Sequence, residues 1–303
     1  MKPTISLLGF PMDLGADRRG VDMGPSAIRI ADIAGRLTAL GYGIIDEGDI
    51  QVKTQEVQTV KDPSLKYLPE IRRACERLAR SVKQILDRNR FPLILGGDHS
   101  MSIGSLAGIS AHCRAHGKRL GVVWIDAHAD MNTPASTPSG NIHGMPLSVS
   151  LGHGAPQLTD LLGFAPKVDP TNVALIGIRS VDPGERTLIR SCKVQAYTMQ
   201  DIDKKGMYAI MRQVLKHMKE QVDHLHVSFD LDSVDPTLVK GVGTPVPGGL
   251  SYREIHLAME MIAESGLLRS LEVAEVNPIL DDRNNSAVFA CDVVASTMGK
   301  NIL

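Results

Sequence analysis

The chain has little that would mark it as secreted, membrane-bound or nucleic-acid-binding. Its four cysteines (Cys75, Cys113, Cys192 and Cys291) are scattered over 303 residues without a CxxC pair or a dense framework. Such spacing fits reduced structural thiols and a cytoplasmic setting. Neither sign of charge dominates: 33 basic residues against 34 acidic ones give a net charge of -1. No global field draws the chain toward nucleic acid or a membrane surface. No apolar run is as long as a membrane helix, and Met1–Phe10 lacks the pattern of a signal peptide, with Pro11 following at once. There is no internal repeat, low-complexity tract or linker. With 43% hydrophobic and 22% charged residues, residues 1–303 are expected to form one globular domain.

What the chain does have is alternation. Short β-type runs are expected at Ile5–Phe10, Gly43–Asp46, Phe91–Leu95, Gly121–Ile125, Val173–Ile178, Val194–Tyr197, Leu225–Phe229 and Leu271–Val276. Several are apolar almost throughout, as strands buried on both faces are. Helical periodicity lies between them: Ile71, Ala74, Cys75, Leu78, Val82, Ile85 and Leu86; Met207, Ile210, Met211, Val214, Leu215 and Met218; and Ile255, Ala258, Met259 and Ile262, entered through Ser251 with Glu254 three residues on. Strands alternating with helices predict right-handed βαβ units, an α/β class and a parallel sheet.

In such a sheet, ligands gather beyond the carboxyl ends of the strands. Three strand ends there carry metal-type ligands. Phe91–Leu95 runs into Gly96-Gly97-Asp98-His99-Ser100, whose glycines allow a tight turn. Gly121–Ile125 runs into Asp126-Ala127-His128-Ala129-Asp130, with ligands at alternate positions that extended backbone would point one way. Leu225–Phe229 runs into Asp230-Leu231-Asp232. Each motif alone has an ordinary explanation as a solvated strand end or a cap. Together they supply His99, Asp126, His128, Asp130, Asp230 and Asp232. Four carboxylates converging in a buried place repel one another unless cations relieve them. An oxygen-rich set with two imidazoles suits manganese better than tetrahedral zinc.

In order and spacing, these motifs, with Ser139-Gly140-Asn141-Ile142-His143-Gly144, Ser228-Phe229-Asp230-Leu231-Asp232 and Glu275-Val276-Asn277-Pro278, resemble the ureohydrolase family of arginases and agmatinases over nearly the whole chain. The resemblance implies a three-layer α/β/α fold with a central, parallel, eight-stranded sheet. It implies two Mn²⁺ ions per subunit, one on His99 and Asp130, the other on His128 and Asp232, with Asp126 and Asp230 bridging. It further implies hydrolysis of the guanidinium of L-arginine to L-ornithine and urea, and a homotrimer or homohexamer. Ion-activated hydroxide is the expected nucleophile, since water attacks guanidinium too slowly. Asp130 is then the candidate to protonate the leaving amine, and His143 to carry protons to solvent.

Substrate contacts follow from the same resemblance. Glu275 would hold the guanidinium with Thr244 nearby, and His128 would border the substrate as well as hold metal. Asn132, Thr137, Ser139 and Asn141 would meet the α-carboxylate. Asp182, with Glu185 beside it, would take the α-ammonium. One departure is Ser180, which stands where some arginases have an aspartate and weakens the expectation on the ammonium side. Agmatinase, guanidinobutyrase and formimidoylglutamase share the metal motifs, but their substrates lack one or both α-groups, so Ser139-Gly140-Asn141 favours arginine. A one-metal amidohydrolase and a non-catalytic protein on the same fold are the other readings. The filled ligand positions, His143 and Glu275 speak against the second.

Overall fold

The computed structural model describes residues 2–301. Eight strands form one sheet: β1 (Ile5–Phe10), β2 (Ile44–Asp49), β3 (Phe91–Gly96), β4 (Leu120–Ile125), β5 (Val173–Ile178), β6 (Gln195–Thr198), β7 (His224–Asp230) and β8 (Leu268–Ala274). Their order is β2-β1-β3-β8-β7-β4-β5-β6, and every pairing is parallel. The chain steps outward from β1 to β2, crosses back to β3, and then runs through β4 and β5 to β6 at the other edge. Late strands β7 and β8 fill the middle. Neighbours β7 and β4 continue in opposite directions, to β8 and to β5, so a switch point, where ligands bind in open α/β sheets, falls between them in the middle of the sheet.

The helices are α1 (Gly24–Ile30), α2 (Ile33–Ala39), α3 (Leu68–Asp87), α4 (Met101–Ala115), α5 (Pro146–Ser150), α6 (Pro156–Thr159), α7 (Pro183–Cys192), α8 (Met199–Lys205), α9 (Met207–Gln221), α10 (Tyr252–Ser265) and α11 (Asn285–Thr297). Two apolar cores form, one on each side of the sheet. Side chains of α1, α2, α9, α10 and α11 pack with Leu93, Leu95, Val123, Ile125, Leu225, Val227 and Phe229. Those of α3, α4, α5 and α6 pack with Ile94, Val122, Trp124 and Leu175. The alternation of strand side chains between the two cores is the period-2 pleat at work.

Several expected bounds move by one to three residues, and one movement matters. The run Leu271–Val276 does not continue as strand to its end: β8 stops at Ala274, because Glu275 turns into the left-handed region at φ 63°. Two helices carry no periodic pattern. In α4 and α11 most side chains are buried, so no polar stripe reveals the helix. The capping box at Ser251 forms as expected, with the Ser251 N–H donating to Glu254 at 2.8 Å. No described helix is long and apolar enough to cross a membrane.

Candidate metal centre and active site

Four neighbouring strand ends deliver the acids and imidazoles. β3 leads to His99, β8 to Glu275, β7 to Asp230 and Asp232, and β4 to Asp126, His128 and Asp130. Gly97 lets the end of β3 lie against the backbone after β1: a methyl group there would run into the Met12 carbonyl. The amides of Gly97 and Asp98 donate to Phe10 (3.0 Å) and Met12 (2.8 Å), and the Glu275 amide donates to Gly97 (2.9 Å). These bonds set the height of His99 relative to Glu275.

The period-2 argument for Asp126, His128 and Asp130 needs correction. Strand β4 ends at Ile125, and residues 126–130 form a turn, with Asp130 at φ 51°. Convergence comes from that turn, whose left-handed backbone costs on the order of 1–3 kcal/mol and is held by its surroundings. The Asp130 carbonyl accepts from Leu147 (3.0 Å) and Ser148 (3.3 Å) at the start of α5.

The side chains nevertheless meet. His99 Nδ1 lies 3.2 Å from Asp126 Oδ2, 3.0 Å from Asp130 Oδ2 and 2.9 Å from Asp230 Oδ2. His128 Nδ1 lies 3.5 Å from Asp126 Oδ1 and 3.1 Å from Asp232 Oδ2. Two ligand groups result, and Asp126 belongs to both through its two oxygens. Ligand atoms about 2.1 Å from one octahedral ion stand about 3 Å apart at right angles, which is the spacing here. His99 and Asp232 are each 1% exposed. His99 Nδ1 and Asp130 Oδ2 are buried with no hydrogen-bond partner. Buried polar groups go unpaired rarely, and an ion is one explanation. By donor chemistry and spacing, the residues fit a pair of hard divalent cations.

Four of the ligands, Asp126, Asp230, Asp232 and His99, are held from behind. Asp126 accepts the Trp124 indole N–H (2.9 Å) and the His128 amide (2.7 Å). The Trp124 ring stacks on His99, with centroids 4.3 Å apart. Asp230 accepts the Asp232 amide (2.7 Å), while Asp232 accepts from the Ala127 amide (3.2 Å) and the Thr244 hydroxyl (2.9 Å). His99 Nε2 meets the Ser228 hydroxyl at 2.8 Å, and Ser228 donates to Glu272 at 2.8 Å. Such outer bonds fix ring orientation and tautomer in metal-binding histidines. Glu272 also accepts from Ser102 and Ser105 of α4 and lies 3.2 Å from His226 Nε2. Burial alone would raise its pKa, but His226 and the serine hydroxyls bring it down to about 2.

Without cations, protons balance this cluster. Burial, then the Asp126 charge, raises Asp130 to about 6. Burial and neighbouring carboxylates also raise Asp230 and Asp232. Against the opposing effect of burial, Asp232 and Asp126 lift His128 to about 12. Cations bound here displace such protons.

Glu275 sits at the edge of the cluster. Its Oε1 accepts the His99 amide (2.9 Å) and faces His143 Nδ1 (3.0 Å), whereas Oε2 is buried without a partner. Burial opposes protonation of His143, but Glu275, Asp98 and Asp130 raise its pKa to about 9. The same His143 bond, against the effect of burial, keeps the Glu275 carboxyl below its ordinary range. Above the cluster opens a cleft lined by His128, Asp130, Asn132, Thr137, Ser139, Asn141, His143, Ser180, Asp182, Glu185 and Thr244. Asn132 donates to Asp182 (2.8 Å) and Asn141 donates to the Ala16 carbonyl (2.9 Å). Glu185 accepts backbone N–H groups at both oxygens, from Met131 (2.9 Å) and Asp182 (2.8 Å), so it positions the rim as well as lining it.

The sequence reading assigned no part to Asp98, Trp124, Ser228 or Glu272. Asp98 accepts the Gly15 and Ala16 amides (2.7 and 3.2 Å) and ties that loop to the site. Glu272 offered one usable signal: a lone acid inside an apolar strand must have a buried partner.

A model of the Arginase family matches residues 3–299. The chain is 51% identical to an arginase of Bacillus caldovelox and 49% identical to one of Bacillus subtilis, covering all of both chains in each case. A solved structure of the Bacillus caldovelox arginase superposes with a TM-score of 0.96 at 50% identity over the whole of both chains.

Proposed function

The chain belongs to the arginase family, and from that membership we propose that it hydrolyses L-arginine to L-ornithine and urea at a binuclear manganese centre. The observation that carries this reading is the pair of ligand groups sharing Asp126, next to a buried carboxylate, Glu275, with one uncommitted oxygen. We assign His99, Asp126, Asp130 and Asp230 to one ion and Asp126, His128, Asp230 and Asp232 to the other. Four carboxylates with two imidazoles favour Mn²⁺ over softer metals. Bound there, the ions supply a lowered pKa for water, so that hydroxide exists at neutral pH.

The chain's own groups do the rest. Glu275 Oε2 receives the guanidinium through a charge-assisted hydrogen bond, and Thr244 lies beside it. Asp130, which lines the cleft beside the ligand cluster, relays a proton to the departing amine. His143, hydrogen-bonded to Glu275 and partly exposed, passes protons between the site and solvent. On the rim, Asn132, Thr137, Ser139 and Asn141 take the α-carboxylate. Asp182, set in place by Glu185 and Asn132, takes the α-ammonium, with Ser180 adding a neutral hydroxyl beside it. We further propose a cytoplasmic homotrimer or homohexamer; the four free thiols suit a reducing compartment.

Urea release from arginine, agmatine and 4-guanidinobutyrate, measured on metal-stripped protein with Mn²⁺ added back, tests this function. Arginine should be far preferred. Equal kcat/KM for arginine and agmatine would assign the chain to a different activity within the family, and full activity with one ion per chain would replace the binuclear reading.

A further inference from the structure

A second group of metal-type side chains lies at the opposite end of the sheet. Asp87 is the last residue of α3, and His112 and His116 stand one turn apart at the end of α4. Both helices end where the chain enters the amino ends of β3 and β4, away from the crevice. The three residues place ligand atoms within 4.8 Å of one another. The two imidazole rings lie 4.3 Å apart, centroid to centroid.

The hydrogen bonds decide which nitrogens are available. His116 Nδ1 lies 2.8 Å from the His112 carbonyl, and His112 Nδ1 lies 2.7 Å from Asp87 Oδ1. Carbonyl and carboxylate oxygens only accept, so both Nδ1 atoms carry the proton and both Nε2 atoms carry the lone pair. This is how metal-binding imidazoles are oriented: one nitrogen donates to a carbonyl or carboxylate, and the other faces the ion. Burial, opposed by the Asp87 hydrogen bond, holds His112 below its ordinary pKa range. The negative ends of two helices converge on the site and favour a cation there. Lys83 works against this, since it already binds the other Asp87 oxygen at 2.6 Å. Asp87 therefore acts as the support of His112 more than as a full ligand.

We propose that His112 and His116, with Asp87 behind His112, form a second metal site for a late first-row divalent cation such as Zn²⁺ or Ni²⁺. Its donors are imidazole-rich where those of the crevice are oxygen-rich, so the two sites select different metals. A bound ion would fasten the last turn of α3 to that of α4.

Zn²⁺ uptake by the manganese-loaded protein, followed by equilibrium dialysis with both metals counted, tests the proposal. Wild type should take up zinc while keeping its manganese. His116→Gln, at an exposed position, should weaken that uptake about tenfold or more, and Asp87→Asn about tenfold. Both variants should keep the wild-type rate of arginine hydrolysis, which shows that they fold. Retention of the untagged protein on immobilised Ni²⁺ should fall in parallel. Zinc uptake that only replaces manganese, or uptake and retention unchanged by His116→Gln, would overturn the site.

Discussion

The floor and the rim of the crevice are built differently. The floor is buried and tied to distant sequence: His99 to Ser228, the Ala127 amide to Asp232, the Glu275 amide to Gly97. The rim is half-exposed, and many of its bonds are local, from Gly140 to Thr137, Asn141 to Ser139, and Thr133 to Ser136. Longer ties, from Asn132 to Asp182 and from Asn141 to Ala16, anchor it at a few points. The floor, fixed by the ends of a rigid sheet, suits chemistry that tolerates little displacement. A locally bonded rim can change its residues without moving the sheet, which suits recognition of the part of the substrate that varies between related enzymes.

If that division holds, damage to the floor should remove turnover, and damage to the rim should alter substrate preference. Chelation should bring activity to background, and Mn²⁺ should restore it in wild type. Asp126→Asn, which weakens both ligand groups, should regain neither activity nor the full metal content. Undiminished activity in metal-free protein would sink the floor as described. Glu275→Gln comes next, with a loss of about 3 kcal/mol in kcat/KM, on the scale of removing one buried charged partner. A near-normal value would take Glu275 out of the site.

Rim changes should be smaller and appear mainly in KM. Asp182→Asn should cost about 2 kcal/mol in arginine binding. Ser139→Ala should cost about 1 kcal/mol and narrow the preference for arginine over agmatine. A drop in kcat with KM unchanged for either variant would erase the boundary between rim and floor. The last prediction concerns His143, which belongs to both. Its folded pKa, about 9, exceeds the unfolded value of about 6.5. The pairing therefore stabilises the metal-free protein fully below about pH 6.5, and the contribution is lost as pH rises through about 9. The stability difference between wild type and His143→Gln, followed by urea unfolding, should narrow over that range. A constant difference would mean that His143 carries no proton there.

Much of this design is legible in the sequence. Apolar runs such as Gly121–Ile125 read as buried strands because nothing polar interrupts them. The residues after them read as metal ligands because acids and imidazoles clustered at strand ends need neutralising. The helices α4 and α11 show no periodic pattern in the sequence because burial on nearly all sides erases the amphipathic stripe. Glu272 escaped notice because its partners Ser102, Ser105 and Ser228 come from other elements.

By itself, the sequence determined the class of fold, the donor types and the hardness of the metal they favour, since these depend on side-chain chemistry and local periodicity. Which strand ends became neighbours depended on long-range packing. It inserted β7 and β8 between β3 and β4, which places His99, Glu275, Asp230 and Asp126 side by side. It also turned Asp130 and Glu275 into left-handed backbone, a conformation that costs energy locally and persists because long-range hydrogen bonds hold it.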